Sequence, residues 1–178
     1  MLERITKLDK RIANDIEKIH NKVLNKFMVT FTYLGVGGLV WFCTLGIPML
    51  FFEKFRIKGL CVIVTIIVNW LLSEILTKKL VGRKRPSNFI SEEELLVSKP
   101  DDASFPSGHA SSSFASFAVA ALVFPWYFAV GALVVALLIG FSRVYLRVHY
   151  LSDVVCGAVF GFMVGCTVTA LFNKFGAF

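Results

Sequence analysis

The stretch from Ser142 to Asp153 carries charged and titratable side chains between two long apolar runs. His149 and Asp153 are four residues apart, so on a helix they lie on the same face. A carboxylate that reaches an imidazole fixes its tautomer and makes the free ring nitrogen a better nucleophile or base. Arg143 adds a planar set of N–H donors that suits a phosphate group. These residue types and spacings indicate nucleophilic chemistry on a phosphoryl group.

The composition is that of an integral membrane protein. Of the 178 residues, 56% are hydrophobic and 18 are Phe, and the mean hydropathy is +0.71. A soluble domain is closer to about half apolar, whereas several runs here approach or exceed the roughly 18 to 20 residues needed to cross a bilayer. We therefore expect an all-α, polytopic membrane bundle that forms one domain over residues 1–178.

The charge of the chain indicates its partners, and its cysteines indicate whether it has disulfides or a zinc site. The formal net charge is +7, and the basic residues lie in the N-terminal segment and the loops, where they suit anionic lipid headgroups of the bilayer. No basic patch with interleaved aromatic residues lies outside the apolar runs, so nucleic acid is not an expected partner. The four cysteines lie inside apolar runs without close pairing, which favours buried free thiols over a disulfide framework or a zinc site.

Hydrophobic periodicity assigns the elements that must position these residues. Residues 1–26 carry apolar side chains at spacings of three and four with charges between them, which predicts an amphipathic helix on the membrane surface. Residues 27–178 are predicted to form the bundle, with spans at 27–52, 59–80, 107–124, 126–146 and 150–172. Residues 81–106 form the one long loop, and a loop of this length in a compact domain is usually functional.

Alternation of direction across five spans decides which span ends share a side of the membrane. The end of the second span, the long loop, the start of the third, the end of the fourth and the start of the fifth fall on one side. The polar residues that this arrangement brings together are Lys78, Arg85, Ser107, His109, Arg143, His149 and Asp153. The opposite side keeps only two tight turns and the C-terminus.

The cations and small residues of this cluster suit a phosphate group. Lys78, Arg85 and Arg143 supply fixed positive charge, which stabilises the equatorial oxygens of a phosphoryl group in the transition state. Ser107 and Gly108 begin a predicted helix, and the first backbone N–H groups of a helix are unpaired and favour an anion.

Three further residues complete the predicted chemistry. His109 lies in the first turn of that helix, where it is placed to protonate a leaving oxygen. His149, oriented by Asp153, is the candidate nucleophile, and its attack would give a phosphohistidine that water later cleaves. No carboxylates or thiols are spaced for a divalent metal, so we expect chemistry that needs neither a metal nor a cofactor.

Three short motifs give the sequence a family resemblance. They are Lys78 followed by six residues and Arg85-Pro86, then Pro106-Ser107-Gly108-His109, then Ser142-Arg143, five residues, His149, three residues and Asp153. Together they resemble the signature of the type 2 phosphatidic acid phosphatase superfamily, over residues 78–153 and with every signature position present. The family includes membrane lipid phosphate phosphatases and soluble vanadium haloperoxidases, and the latter are soluble and much longer than this chain.

The resemblance implies a role for each motif residue. It implies His149 as nucleophile, Asp153 as its partner and His109 as general acid. The implied phosphate ligands are Lys78, Arg85, Ser107, Gly108 and Arg143. Many membrane members have six spans, whereas five are predicted here and residues 1–26 take the place of the first. Arg147 stands where relatives often carry a small residue, and we interpret it either as an interfacial arginine that snorkels to water or as a further contact to a diphosphate or headgroup.

The resemblance also implies an activity, the hydrolysis of a phosphomonoester or diphosphate on a membrane lipid. The many cations favour a polyprenyl diphosphate such as undecaprenyl diphosphate, with phosphatidylglycerophosphate or phosphatidate as the alternative. Transfer of the phosphoryl group to a second lipid and a non-enzymatic lipid-binding scaffold are the competing hypotheses. Relatives act on the extracytoplasmic side, which we expect here, although the basic N-terminal segment counts toward the cytoplasm. The sequence makes no prediction of the oligomeric state.

Overall fold

The computed structural model describes residues 2–73 and 82–176. Within these ranges the chain folds into helices and contains no strand, which confirms the all-α prediction. The helices are α1 (Leu2–Glu17), α2 (Lys22–Leu34), α3 (Val36–Phe51), α4 (Glu53–Ser73), α5 (Gly108–Val123), α6 (Trp126–Tyr145) and α7 (Leu151–Lys174). The described part of the long loop is irregular and carries two short 3-10 turns, at Pro86–Phe89 and Glu92–Glu94.

Side-chain caps fix where three of these helices begin. The first N–H groups of a helix have no partner within it, so a side-chain oxygen placed beside them stabilises that end. Asn21 Oδ1 accepts from the backbone N–H of Leu24 at 2.9 Å and starts α2. Ser107 is the corresponding residue at the start of α5. At the start of α7, the Asp153 carboxylate accepts from the backbone N–H of Tyr150 at 2.9 Å.

The N-terminal amphipathic helix is shorter than the range 1–26 predicted for it. Helix α1 ends at Glu17 and α2 begins at Lys22, because the capping residue Asn21 interrupts an apolar periodicity that continues through both helices. The amphipathic character itself is as predicted. Helix α1 lies against α6 and α7, with Ala13 and Ile16 buried and most of its other described side chains exposed.

The first predicted span, 27–52, is not one straight helix. Helix α2 starts five residues earlier, at Lys22, and the chain bends by 54° between α2 and α3. The bend coincides with Gly37 and Gly38, whose φ angles of 57° and 73° lie in the left-handed region that favours glycine. Glycines within an apolar run suit close helix packing, but these two break the helix instead.

The remaining predicted spans all correspond to helices, and three of them can cross a membrane by length and composition. These are α4, α6 and α7, while α2 and α3 reach that length together as a bent pair. Helix α5 has 16 residues, about 24 Å at 1.5 Å per residue, and it lies at the centre of the bundle against α4, α6 and α7. The end of the second predicted span, residues 74–80, lies outside the described residues.

A row of glycines lets the backbones of α5 and α7 touch. Gly157, Gly161 and Gly165 recur every fourth residue of α7 and face α5. A Cβ atom at Gly157 would lie 2.6 Å from the carbonyl oxygen of Ser107, and one at Gly161 would overlap the carbonyl oxygen of Ser111. The start of α5 is therefore fixed against α7 by direct backbone contact.

We expect Gly161→Ala to destabilise the protein by at least about 1–3 kcal/mol, because the new methyl group meets backbone that has no other rotamer to adopt. The matched control is Gly131→Ala in α6, where an added Cβ meets nothing within 4 Å and alanine improves helix propensity. Thermal unfolding of the purified protein in detergent compares the two. Equal midpoints for both variants would show that α5 and α7 are not in backbone contact.

Candidate active site

A cavity of about 260 Å³ opens beside the bend between α2 and α3, the last described turn of α4, the end of α6 and the start of α5. Five of the eight residues predicted for the site line this cavity: Arg85, Gly108, His109, Arg143 and His149. Ser107 and Asp153 are fully buried beside it and do not line it. The eighth predicted residue, Lys78, lies outside the described residues. The structure thus brings together residues from three motifs that are up to 64 positions apart.

The His149 imidazole is 2% exposed and is held from both ring nitrogens. Nδ1 lies 2.7 Å from the carbonyl oxygen of Ser104, which can only accept, so Nδ1 carries the proton. Nε2 therefore keeps the lone pair, and Arg85 Nη1 donates to it at 2.8 Å. A neutral imidazole with its lone pair on a defined atom has the tautomer that a nucleophile or base requires.

Asp153 does not make the direct hydrogen bond to His149 that the four-residue spacing predicted. Its Oδ2 lies 3.8 Å from His149 Nδ1, beyond hydrogen-bond length. The spacing argument assumed one helix, whereas α7 begins at Leu151 and leaves His149 outside it. The carboxylate instead accepts from the Ser104 hydroxyl at 2.5 Å, from the Tyr150 backbone N–H at 2.9 Å and from the guanidinium of Arg83. Ser104 takes the position between the two predicted partners.

Arg85 is 3% exposed and ties the long loop to the turn before α7. Its guanidinium donates to the Asp102 carboxylate at 2.7 Å and to the backbone carbonyls of Asp102 at 2.9 Å and Ala103 at 3.2 Å. On the other side it donates to the carbonyl of Val148 at 2.9 Å, beside its contact to His149. These bonds hold the guanidinium in one place, so its positive charge has a fixed position relative to the cavity.

Arg143 lies at the end of α6, where it is 6% exposed. Its Nη1 donates to the Thr32 hydroxyl of α2, and its buried Nε has no hydrogen-bond partner among the described residues. A buried guanidinium with an unmet donor is costly unless an anion completes it. Arg85 and Arg143 thus give the cavity two buried cations suited to an anion.

The start of α5 completes the cavity wall with backbone N–H groups. Gly108 and His109 are partly exposed in the first turn and line the cavity, where N–H groups of a helix N-terminus favour an anion. Ser107, predicted as a phosphate ligand, caps α5 through its hydroxyl, and its own backbone N–H donates to the Asp153 carbonyl at 3.1 Å.

Four residues of the site were not found from the sequence. Ser104 contacts His149 through a backbone carbonyl, which leaves no side-chain signal. Arg83 donates to Asp153 and, at 2.7 Å, to Asp9 of α1. Burial would lower the pKa of Arg83, but the hydrogen bonds and charges of Asp9 and Asp153 outweigh it and raise that pKa, so Arg83 stays charged. Asp102 accepts a hydrogen bond from Arg85 and holds its guanidinium in place. Asp9 had a usable signal, because it lies on the same helical face as the apolar residues three, four and seven positions later.

Arg147 lies away from the cavity that His149 lines. It adopts a φ of 57°, its Nη1 pairs with Glu17 of α1 at 3.0 Å, and it lines a second cavity beside α1 with Lys10 and Tyr150. Arg147 is therefore not placed for a contact to a phosphate in the cavity that His149 lines, and its interpretation as an interfacial arginine or a headgroup contact stays a prediction. Within residues 2–73 and 82–176, no three His, Cys, Asp or Glu side chains are grouped as ligands for a metal ion.

Comparison with known proteins identifies the family. Residues 58–177 match the family described as the PAP2 superfamily. The chain belongs to this superfamily, in agreement with the three sequence motifs. Its fold is similar to that of a transmembrane PAP2 type phosphatidylglycerolphosphate phosphatase from Bacillus subtilis, with a TM-score of 0.78 and 27% identity over 96% of this chain and 87% of that one. The chain is therefore a multi-pass membrane protein.

Two curated relatives carry different names. An undecaprenyl-diphosphatase of Sulfolobus acidocaldarius is 31% identical over 138 residues, which is 78% of this chain and 66% of that protein. A lipid A 1-phosphatase of Rhizobium johnstonii is 34% identical over 117 residues, or 63% of this chain and 47% of that protein. The chain thus matches two thirds or less of the length of these relatives. Together with the Bacillus structure, they name three different lipid phosphates.

The two buried cations predict that the cavity binds inorganic phosphate. Arg143→Gln should weaken that binding about 10- to 100-fold, because it removes charged hydrogen bonds of about 1.5–3 kcal/mol. Arg147→Gln is the matched control, since Arg147 lines the other cavity and pairs with Glu17. Titration calorimetry, supported by the rise in unfolding temperature with phosphate, measures both. Equal losses in the two variants would place the anion elsewhere.

Proposed function

We propose that the protein is a metal-independent phosphatase that hydrolyses a phosphomonoester or diphosphate on a membrane lipid. The observation that carries the proposal is the His149 imidazole. It is buried with its lone pair on Nε2, between a cavity with two buried arginines and a carbonyl that holds the Nδ1 proton. Membership of the PAP2 superfamily and the lipid phosphates named for the relatives support the same chemistry.

In the first step the lone pair of His149 Nε2 attacks the terminal phosphorus while the bond from that phosphorus to its ester or bridging oxygen breaks. The leaving group is the lipid alcohol in a phosphomonoester and the lipid monophosphate in a diphosphate. His109 donates a proton to that leaving oxygen. The incoming phosphate is a stronger acceptor than the imidazole for the Arg85 N–H that now contacts Nε2, so substrate binding frees the lone pair. Arg85, Arg143 and the N–H groups at Gly108 stabilise the equatorial oxygens.

In the second step water attacks the phosphohistidine. His109, now neutral, accepts a proton from the water as the P–N bond breaks, and the electron pair returns to His149 Nε2. During both steps the ring carries positive charge, and the Asp153 carboxylate 3.8 Å from Nδ1 stabilises it. Inorganic phosphate then leaves. Lys78 is predicted to assist as a further phosphate ligand.

Among lipid phosphates we favour a polyprenyl diphosphate. Two buried guanidinium groups, with Lys78 as a predicted third cation, supply more positive charge than one phosphomonoester needs. One relative named as an undecaprenyl-diphosphatase is consistent with this choice. Phosphatidylglycerophosphate is the second candidate, because the Bacillus phosphatase of that name matches 96% of this chain in its fold.

We expect purified protein in detergent to release inorganic phosphate from undecaprenyl diphosphate faster than from phosphatidylglycerophosphate or phosphatidate, without added metal and in the presence of a chelator. His149→Ala should lower the rate at least about 10³-fold, because it removes the nitrogen on which the proposed covalent intermediate forms. Wild-type protein quenched with labelled substrate should carry acid-labile, base-stable label that His149→Ala lacks.

Three outcomes of that assay would redirect the proposal. Unchanged hydrolysis by His149→Ala, with an unfolding temperature equal to wild type, would remove His149 as nucleophile. Release of phosphate only when a second lipid acceptor is added, or formation of a new lipid phosphate, would indicate transfer. Binding of every lipid without turnover would indicate a scaffold.

We further propose that the site faces the extracytoplasmic side, as in the relatives that the sequence resembles. Trp70 and Ser73 of α4 line the cavity together with loop residues, so the first turn of α4, which carries Lys54, lies at the other end of that helix. In a background without the native cysteines, Glu93→Cys should react with a membrane-impermeant maleimide on intact cells, and Lys54→Cys should react only after permeabilisation. The reverse pattern would place the site in the cytoplasm.

A further inference from the structure

We propose that Asp9, on the amphipathic helix α1, is a positioning residue for the His149 imidazole and acts through Arg83 and Ser104. The proposal deepens the proposed function and rests on it, because it gives the surface helix a part in the reaction. Its evidence is a continuous series of contacts between α1, the long loop and the start of α7.

Asp9 is buried on a helix whose other described acidic residues are exposed. It is 3% exposed, whereas the Asp15 side chain is 51% exposed and pairs at the surface with Lys18. Asp9 Oδ1 accepts from the backbone N–H of Ser152 at 3.1 Å, and Oδ2 accepts from the Ser152 hydroxyl at 2.5 Å. A carboxylate of α1 therefore caps the first turn of α7, where negative charge is favoured by the helix dipole.

Arg83 lies between two buried carboxylates. Its Nη2 donates to Asp9 Oδ2 at 2.7 Å, and its Nη1 donates to Asp153 and to the Ser152 hydroxyl. The guanidinium also lies 4.3 Å from the ring centre of Tyr150. Arg83 is held by both acids at once. Its position, and the strength of its electrostatic interaction with Asp153, therefore depend on Asp9.

Ser104 connects Arg83 and Asp153 to His149. Its backbone N–H donates to the Arg83 carbonyl at 2.8 Å, and its hydroxyl donates to Asp153 Oδ2 at 2.5 Å. Its carbonyl oxygen then accepts from His149 Nδ1 at 2.7 Å. Both Ser104 and Asp153 are fully buried, so a displacement of Arg83 reaches the carbonyl that fixes the tautomer and direction of the imidazole.

The charges lead to the same conclusion. With Asp9, Asp153 and Arg83 ionised, the group carries a net charge of one negative unit beside the ring. Without the Asp9 charge, Arg83 pairs with Asp153 alone. Its positive charge then offsets the negative charge of the carboxylate that stabilises positive charge on the ring during phosphorylation. Loss of position and loss of charge both act on the transition state, so the effect belongs in kcat rather than in substrate binding.

The kinetic test compares Asp9→Asn with Asp15→Asn, which makes the same charge change on an exposed part of the same helix. We expect Asp9→Asn to lower kcat about 10- to 100-fold, the order of loss that a misplacement of about 1 Å produces, with KM within about twofold. Asp15→Asn should leave both unchanged. In an Arg83→Gln background, Asp9→Asn should cause less than about a threefold further loss, because the two residues act as one unit.

A second test is independent of activity and uses the small number of histidines. The chain has three, so protein labelled with ¹⁵N-histidine gives three imidazole spin systems, assigned by single substitution. In wild type we expect His149 to show one tautomer with the proton on Nδ1. Asp9→Asn should shift or broaden those signals and leave the His109 and His20 signals in place, while Asp15→Asn should change none of them.

These outcomes separate the two proposals. An active wild type whose kcat and His149 signals are the same in Asp9→Asn and Asp15→Asn would overturn the role of Asp9. A fall of kcat in Asp9→Asn that is accompanied by collapse of all three histidine signals would also overturn it, since this would show general unfolding. A wild type without phosphatase activity whose His149 signals still respond to Asp9→Asn would contradict the proposed function and keep the positioning role.

Discussion

The structure depends on keeping one guanidinium, that of Arg85, in a nearly water-free place. An arginine can be buried only when its donors are met, and here they are met by carbonyls and a carboxylate of residues 102–103 and by the carbonyl of Val148. This requirement pulls the end of the long loop against the turn between α6 and α7. The same packing places Ser104 beside His149, so the burial of this cation and the orientation of the imidazole have one structural cause.

The glycine contact between α5 and α7 fixes the other half of the cavity. Side chains between two helices can shift by changing rotamer, whereas backbone against backbone cannot. Because Gly157 faces the Ser107 carbonyl and the Ser107 N–H donates to Asp153, the first turn of α5 has a fixed distance from the first turn of α7. A site that stabilises a transition state needs this rigidity, since its donors must point at charge before that charge develops.

Much of this arrangement could be predicted from the sequence, and the exceptions have identifiable causes. Apolar runs and their alternation of direction were sufficient to bring Arg85, His109, Arg143 and His149 to one end of the bundle. The break at Gly37 and Gly38 was missed because glycine suits both close packing and left-handed backbone. The Ser104 carbonyl was missed because every residue has one. Asp9 and Arg83 are 74 positions apart, and only the apolar face around Asp9 indicated that its charge was buried.

The shortness of α5 sets the depth of the cavity in the membrane. Exposed aromatic residues, Trp126 and Tyr127, follow its C-terminal end, and such residues belong at the membrane–water interface. With its C-terminal end at that interface, a helix of about 24 Å places its N-terminal end roughly 6 Å short of the far boundary of a 30 Å hydrocarbon core. For a lipid phosphate hydrolysed as proposed, this depth means that the headgroup moves slightly inward to meet His149 and sideways within its leaflet. Its chains would then stay in hydrocarbon, without the roughly 0.8 kcal/mol per methylene that lifting them into water would require.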